Sequence, residues 1–221
     1  MSMDWAPLLL SFKVATIATG IAAALGIALA ALLASKQFPG RNLLDVITTI
    51  PMVLPPTVMG YYVLVTVGRD TLIGQVHEQI FGSPIVFTQT GVVMAGTIGC
   101  LPLVVKSARA ALEGVDHGYV NAARTLGAGP MRRFFIIRLP LAAGGILAGV
   151  MLGFARALGD FGLTIMVAGN IPGQTQTAPL AIYDAIQSNR EDDATGMALV
   201  LTAFALLTLY IVGNITRKSY L

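Results

Sequence analysis

An all-α polytopic membrane fold is predicted by three features of the 221-residue sequence. Hydrophobic residues make up 55% and charged residues only 11%, whereas a soluble domain carries about 25% charged side chains. The apolar residues gather in long runs free of charge, giving a mean hydropathy of +0.76. Lys and Arg concentrate on alternate connections between those runs. Aromatic residues reach only 7%, so the apolar content is aliphatic and alanine-rich, as in helices packed within a bilayer.

The runs predict five spans in one transmembrane domain over residues 1–221, at about 10–34, 46–68, 88–112, 139–160 and 197–216. Val14 to Ala34 contains no charge and, at about 1.5 Å per residue, is long enough to cross a core of roughly 30 Å. Its flank is not basic and it outruns a signal core, so it reads as a retained span. The second run holds Pro51, Pro55 and Pro56. These cannot all sit in one regular helix, so a kink or an unwound section buried against protein is expected. Pro102 should distort the third span, and Leu72 to Phe81 reads as a short external helix. A segment near 178–188 is too short to span alone and leaves a sixth, re-entrant segment open.

With five spans and the N-terminus outside, the inner face receives Lys36, Arg41, Lys106, Arg109, Arg124, Arg132, Arg133, Arg138, Arg217 and Lys218, ten of the 14 basic residues. Asp70, Glu78, Glu191, Asp192 and Asp193 fall outside, as the positive-inside rule requires of a multi-pass cytoplasmic-membrane protein with its C-terminus inside. Basic residues confined in this way point to lipid and partner contacts rather than to nucleic acid.

The central inner connection, about 113–138, is the most informative stretch. Tyr119 to Leu126 is helix-prone, and Gly127-Ala128-Gly129-Pro130 stops it. Ala122, Ala123 and Leu126 make a smooth ridge on one face. Two readings stand: a surface helix held at anionic headgroups by arginines, or a docking helix that inserts into a cytoplasmic partner.

Asn121-Ala122-Ala123, three residues, Gly127, nine more, then Ile137-Arg138-Leu139-Pro140 resembles the signature loop of ABC importer permease subunits. That loop usually begins Glu-Ala-Ala and ends Ile-x-Leu-Pro. Asn121 replaces the usual Glu; either residue suits an N-terminal helix position, where Asn can cap amides. Phe154 to Gly162 (FARALGDFG), Gly169 to Gly173 (GNIPG), Thr175 to Tyr183 and Pro51 to Tyr62 resemble the molybdate-type permeases, with sulfate permeases next. Asp160 stands where these permeases commonly have Glu.

The resemblance implies the MetI-like, type I transmembrane fold and a homodimer. It implies two separate cytoplasmic ATP-binding subunits that use ATP and Mg, and an external oxyanion-binding protein. Asn121, Ala122, Ala123, Leu126, Gly127, Ile137, Leu139 and Pro140 would couple to the ATPase, with Pro140 in the first turn of the fourth span as a firm junction. The chain has no phosphate-binding Gly-rich loop ending in Lys-Ser or Lys-Thr, so it is expected to bind no cofactor and catalyse no hydrolysis.

Several residues are path or gate candidates on physical grounds. Gly145, Gly149 and Gly153 recur every four residues and give a flat face, either for tight packing or for lining a path. Arg156 and Asp160, four apart and expected near the outer end of their helix, form an internal ion pair or a gate. Thr57, Thr97, Thr164 and the backbone near Pro55 and Pro56 could offer neutral donors to an oxyanion, although membrane threonines often bond their own i−4 carbonyl. Asn170, Pro172, Gly173 and Arg190 are candidates for binding-protein contact or simply solvated.

His77 and His117 lack the spacing of a helical metal site, and Cys100 reads as a small buried hydrophobe. A secondary transporter predicts paired repeats and a midplane ion site, and a membrane enzyme predicts a clustered nucleophile and base. Within the permease reading, a sulfate or thiosulfate permease remains the alternative to molybdate or tungstate.

Overall fold

The structure is a computed structural model that describes residues 5–35 and 38–218. Lys36, counted above among the inner cations, lies outside the described residues.

Helix α1, Ala6–Ser35, is the first apolar run wound into a single rod. Helix α2, Arg41–Val53, and α3, Pro56–Val67, share the second run but meet at an angle of 117°. The two prolines set that break. A residue before proline is driven out of the α region, and here it happens twice in succession: Leu54 takes φ −70°, ψ 144° and Pro55 takes φ −52°, ψ 135°. The kink expected from the sequence is therefore a sharp corner between two half-helices, while Pro51 is carried inside α2.

The short helix α4, Leu72–Phe81, starts at Thr71, whose hydroxyl accepts from the Gly74 amide at 3.1 Å. Helix α5, Gln89–Glu113, carries Pro102 without ending; the ring is fully enclosed, so surrounding contacts hold the helix together where one backbone bond is lost. After α6, His117–Thr125, the chain enters α7, Pro130–Arg133, a π-helical stretch Phe134–Arg138 and α8, Leu139–Leu158. These last three form one uninterrupted rod, Pro130–Leu158. The fourth span thus begins nine residues before the expected Leu139. Beyond it come α9, Gly162–Ala168, α10, Ala178–Gln187, and α11, Glu191–Lys218.

Among the described residues four helices are long and apolar enough to cross a membrane, and the bent α2–α3 pair passes the same test together. The ten-residue α10 extends about 15 Å and rests on the start of α1 and α11 through Leu8, Ala181 and Met197.

Small residues fix the register of the central helices. A Cβ on Gly26 would lie 2.9 Å from Val104, and one on Gly96 would lie 3.1 Å from Ala18, so α1 and α5 run parallel. A Cβ on Gly145 would meet Ala111, on Gly149 Ser107, and on Gly153 Val104, so α8 runs antiparallel to α5 at close range. Phe12, Phe154 and Phe204 then close α1, α8 and α11 into one aromatic cluster, with Phe12 and Phe204 edge-on at 4.5 Å.

Helices α3 and α9 run side by side in the same direction. A Cβ on Gly162 would touch Pro56 at 2.9 Å, and one on Gly60 would touch Met166 at 2.6 Å. Two half-helices therefore begin at one level inside the bundle.

Candidate coupling loop and transmembrane path

The loop after α5 is built around a short, exposed helix. Asp116 caps α6 by accepting from the Gly118 amide at 2.7 Å. Asn121 is the fifth residue of the helix, one turn beyond the free amides, so it is not the capping residue that the sequence suggested. Glycine ends the helix: Gly127 sits at φ +78°, its amide donates to Arg124 O at 3.1 Å and the Ala128 amide to Ala123 O at 3.0 Å. This pair of bonds is a Schellman closure, which favours glycine at the left-handed position.

Helix α6 touches the bundle on one side only. Val120 joins the cluster of Leu112, Val115, Ala142 and Ile146. Asn121, Ala122 and Gly127 are exposed, Ala123 is half-buried, and Leu126 is 88% exposed. The predicted ridge therefore stands free of the fold with an apolar tip.

Pro140 explains the π-helical stretch beneath it. A proline ring inside a helix collides with the carbonyl four residues earlier, and the helix widens just before it, the Leu139 amide reaching back to Phe134 O. Leu139 and Ile137 are half-buried, Leu139 against the Val120 cluster. Pro140 is thus inside a continuous rod rather than at its first turn, because Gly129-Pro130 already starts the helix. Arg138 Nη2 donates to Leu112 O at 3.0 Å and ties that rod to the last turn of α5.

The path candidates separate. Gly145, Gly149 and Gly153 face α5 within this chain, which is the packing role. Thr97 Oγ1 donates to Val93 O of its own helix at 2.8 Å and lies 3.4 Å from Ala18 O of α1, so it is spent on backbone carbonyls. Arg156 and Asp160 do pair, at 2.9 Å, but not near an outer end: both side chains lie against Gly99, close to the middle of the 25-residue α5. The discrepancy arises because the rod starts at Pro130, so that its break after Leu158 falls inside the bundle.

Asp160 is 3% exposed and fully used. Its Oδ1 accepts from Arg156, and its Oδ2 accepts from the Thr164 amide at 3.0 Å and hydroxyl at 2.8 Å. It caps α9 and neutralises Arg156 together. At the same level Pro55, Pro56 and Thr57 are exposed, and the first turn of α3 leaves its Thr57 and Val58 amides outside the helical ladder. Thr57, Arg156, Asp160 and Thr164 are thereby gathered into one polar layer.

On the face opposite α6, the α9–α10 connection is a built loop. Ile171 O accepts three amides, from Gln174, Thr175 and Gln176, the enclosed Thr175 hydroxyl accepts from the Ile171 amide at 3.0 Å, and Ser11 accepts from the Ala178 amide at 2.7 Å. Pro172 and Gly173 form its exposed tip, and Asn170 is half-buried beneath. Arg190 lies apart, paired with Asp184 at 3.1 Å and Asp193 at 3.7 Å.

Sequence reasoning missed an ion-pair network on the α6 face. Asp45 of α2 binds Lys106 at 2.7 Å and Arg109 at 3.1 Å; Glu113 binds Arg109 at 2.9 Å and Arg41 at 3.3 Å. The available signal was Asp45, a carboxylate amid the inner cations. On the opposite face Arg69 chelates Glu78 and holds its carboxyl below the usual carboxylate range. Among the described residues no group of three His, Cys, Asp or Glu side chains is placed to hold a metal.

Residues 22–218 match the family model described as the binding-protein-dependent transport system inner membrane component. The molybdenum transport system permease protein ModB of Escherichia coli K12 is 44% identical over 217 residues, covering 98% of this chain and 95% of that protein. A putative molybdenum transport system permease of Bacillus subtilis is 38% identical over 93% of this chain and 91% of its own length. The sulfate transport system permease protein CysT of Salmonella typhimurium is 33% identical over 95% of this chain and 74% of its own length. The fold is that of ABC importer membrane subunits: a chain of the inward-facing MetNI methionine ABC transporter superposes with a TM-score of 0.73 over 96% of this chain and 94% of that one, at 16% identity. A chain of a bacterial alginate ABC transporter gives a TM-score of 0.76 over 99% and 80%, at 15% identity. An all-helical chain with four or five crossings, an exposed helix–glycine loop and this match over nearly its whole length belongs to the binding-protein-dependent inner membrane components of ABC transporters.

Proposed function

We propose that this chain is the permease of an ATP-driven importer for molybdate, or the isosteric tungstate. The observation that carries the reading is the 44% identity to a molybdenum permease across 98% of the chain, against 33% to a sulfate permease. In this reading the bent pair and the four long helices make five crossings, with the N-terminus outside and α6 inside. Two copies enclose a path, and each α6 sits in a cleft of one ATP-binding subunit, seated through Ala122, Ala123, Leu126 and Gly127. ATP-driven closure moves α6, and the rod from Pro130 carries that motion into the membrane, rocking the bundle between inward- and outward-facing states. The Pro172–Gly173 tip is the contact for an external oxyanion-binding protein.

The polar layer at the α3 and α9 starts suits a tetrahedral dianion in transit, because it offers amide and hydroxyl donors beside a cation that is already neutralised. Such contacts bind weakly enough to release. The test is reconstitution of the chain with its ATPase and binding protein in liposomes, followed by ATP-dependent uptake of radiolabelled molybdate, tungstate and sulfate. Molybdate and tungstate uptake with sulfate excluded is expected. Sulfate uptake at low concentration with molybdate excluded overturns the assignment in favour of the sulfate reading.

A further inference from the structure

Two cation–carboxylate couples face one strip of α5. Arg156 lies against Gly99 at mid-depth. Lys106 follows Gly99 by seven residues, which is about two turns and roughly 10 Å along the same helix face. Each cation is half-exposed, Arg156 at 34% and Lys106 at 40% of its side chain, and each is held by an acid of this chain, Asp160 at 2.9 Å and Asp45 at 2.7 Å. Beside Lys106 opens a cleft of about 530 Å³ between α2 and α5, walled by Val46, Ile50, Val53 and Leu54 with Thr49 and Asp45 at its side.

The two acids differ in how they are fixed. Asp160 is anchored by Thr164 as well as Arg156. Asp45 sits on α2, a half-helix that turns away from α3 by 117°, so a movement of α2 away from α5 would uncover Lys106. The last two turns of α5 hold Arg109 and Glu113, which complete the same network, and α6 begins four residues after Glu113.

A bare cation within a membrane protein is costly, and one that held a dianion without competition would not let it go. Conduction needs contacts strong enough to admit the ion and weak enough to release it. A cation masked by its own carboxylate meets both conditions. We propose that Arg156 and Lys106 are successive contacts for the oxyanion on its way inward, each masked by a carboxylate of this chain, Asp160 and Asp45, with which the anion competes. This rests on the oxyanion-permease reading above.

The experiment uses the full complex in liposomes and measures labelled molybdate uptake per ATP hydrolysed, with and without molybdate preloaded on the ATPase side. Lys106→Gln and Arg156→Gln are expected to cut uptake per ATP at least tenfold, and Lys106→Arg to retain most of it. Asp45→Asn is expected to keep uptake within about threefold of the parent, while preloaded molybdate inhibits it at least fivefold more strongly, because the uncovered Lys106 retains the anion. A purely structural ion pair would be lost equally from either side, so equal effects of Lys106→Gln and Asp45→Asn overturn the proposal. Unaltered uptake by Lys106→Gln overturns it as well. Absence of molybdate uptake by the parent complex overturns the substrate reading instead, which the parent control separates from the response to charge.

Discussion

Gly127 carries the sharpest demand on a single residue. Its φ of +78° is a conformation that costs an L-residue about 1–2 kcal/mol, and the Schellman bonds through Gly127 and Ala128 depend on it. Nothing lies within 4 Å of a Cβ built there, so the objection to a side chain is conformational and not one of space. Gly127→Leu should reduce co-purification of the ATPase severalfold while membrane insertion is unchanged; full retention of the ATPase would remove Gly127 from the docking surface. Gly129 is the matched control. It has ordinary angles, φ −65° and ψ 164°, and open space around it, and Gly129→Ala should leave co-purification as it was. The sequence displayed Gly127 as a helix stop, but the capping role suggested for Asn121 falls to Asp116, since the helix starts at His117 rather than at the expected Tyr119 and Asp116 lies next to its free amides.

Among the elements, the α5–α8 pair is the most tightly specified. A Cβ on Gly149 would run into the Ser107 side chain, and neither rod can shift without disturbing Gly145 and Gly153 above and below. Gly149→Leu should lower the thermal midpoint of the detergent-purified chain by several degrees, in keeping with an overpacking cost of about 1–3 kcal/mol; an unchanged midpoint would mean that the helices separate freely. Helix α4 is secured differently, by the exposed chelate between Arg69 and Glu78. Because the Glu78 carboxyl is held below its ordinary value by that bond, its contribution is present above the unfolded carboxylate value and is lost as pH falls through the lowered one. Hydrogen exchange should therefore find α4 amide protection flat from pH 7 to 5 and declining below about 4. Protection that falls equally in Glu78→Gln across the whole range would disconnect α4 from this pair. The glycine spacing of α8 was readable because a four-residue period survives any offset of the helix start. The depth of Arg156 was not readable, since it depends on where the rod begins, and that is set by Gly129-Pro130 and the widened turn before Pro140.

For the whole molecule, hydropathy and the distribution of Lys and Arg were sufficient for an all-helical bundle with its basic connections on one face. The register of α1, α5 and α8, and the parallel placement of α3 beside α9, came from contacts between residues far apart in the chain, such as Gly162 with Pro56. The Asp45–Lys106 pair spans 61 positions, and no local pattern marks it. Orientation is open to direct measurement. In a background where the enclosed Cys100 is left in place, a cysteine at Asp192 should react with a membrane-impermeant maleimide on intact spheroplasts. One at Thr125 should react only after permeabilisation, and the reverse pattern would invert the proposed topology.

The widened turn at Phe134–Arg138 acts as a phase shifter along the rod. A π-helical turn holds one residue more than an α-turn, so everything below it is set back by about 100° around the axis relative to an uninterrupted α-helix. That offset lets Ala142 and Ile146 point into the bundle while Phe135 and Ile136 point away from it. The azimuth of the docking segment is thus encoded in one proline ring. Restoring the backbone donor with Pro140→Ala would let the turn relax to α geometry, and the loop below would swivel about the rod with every apolar contact above it intact.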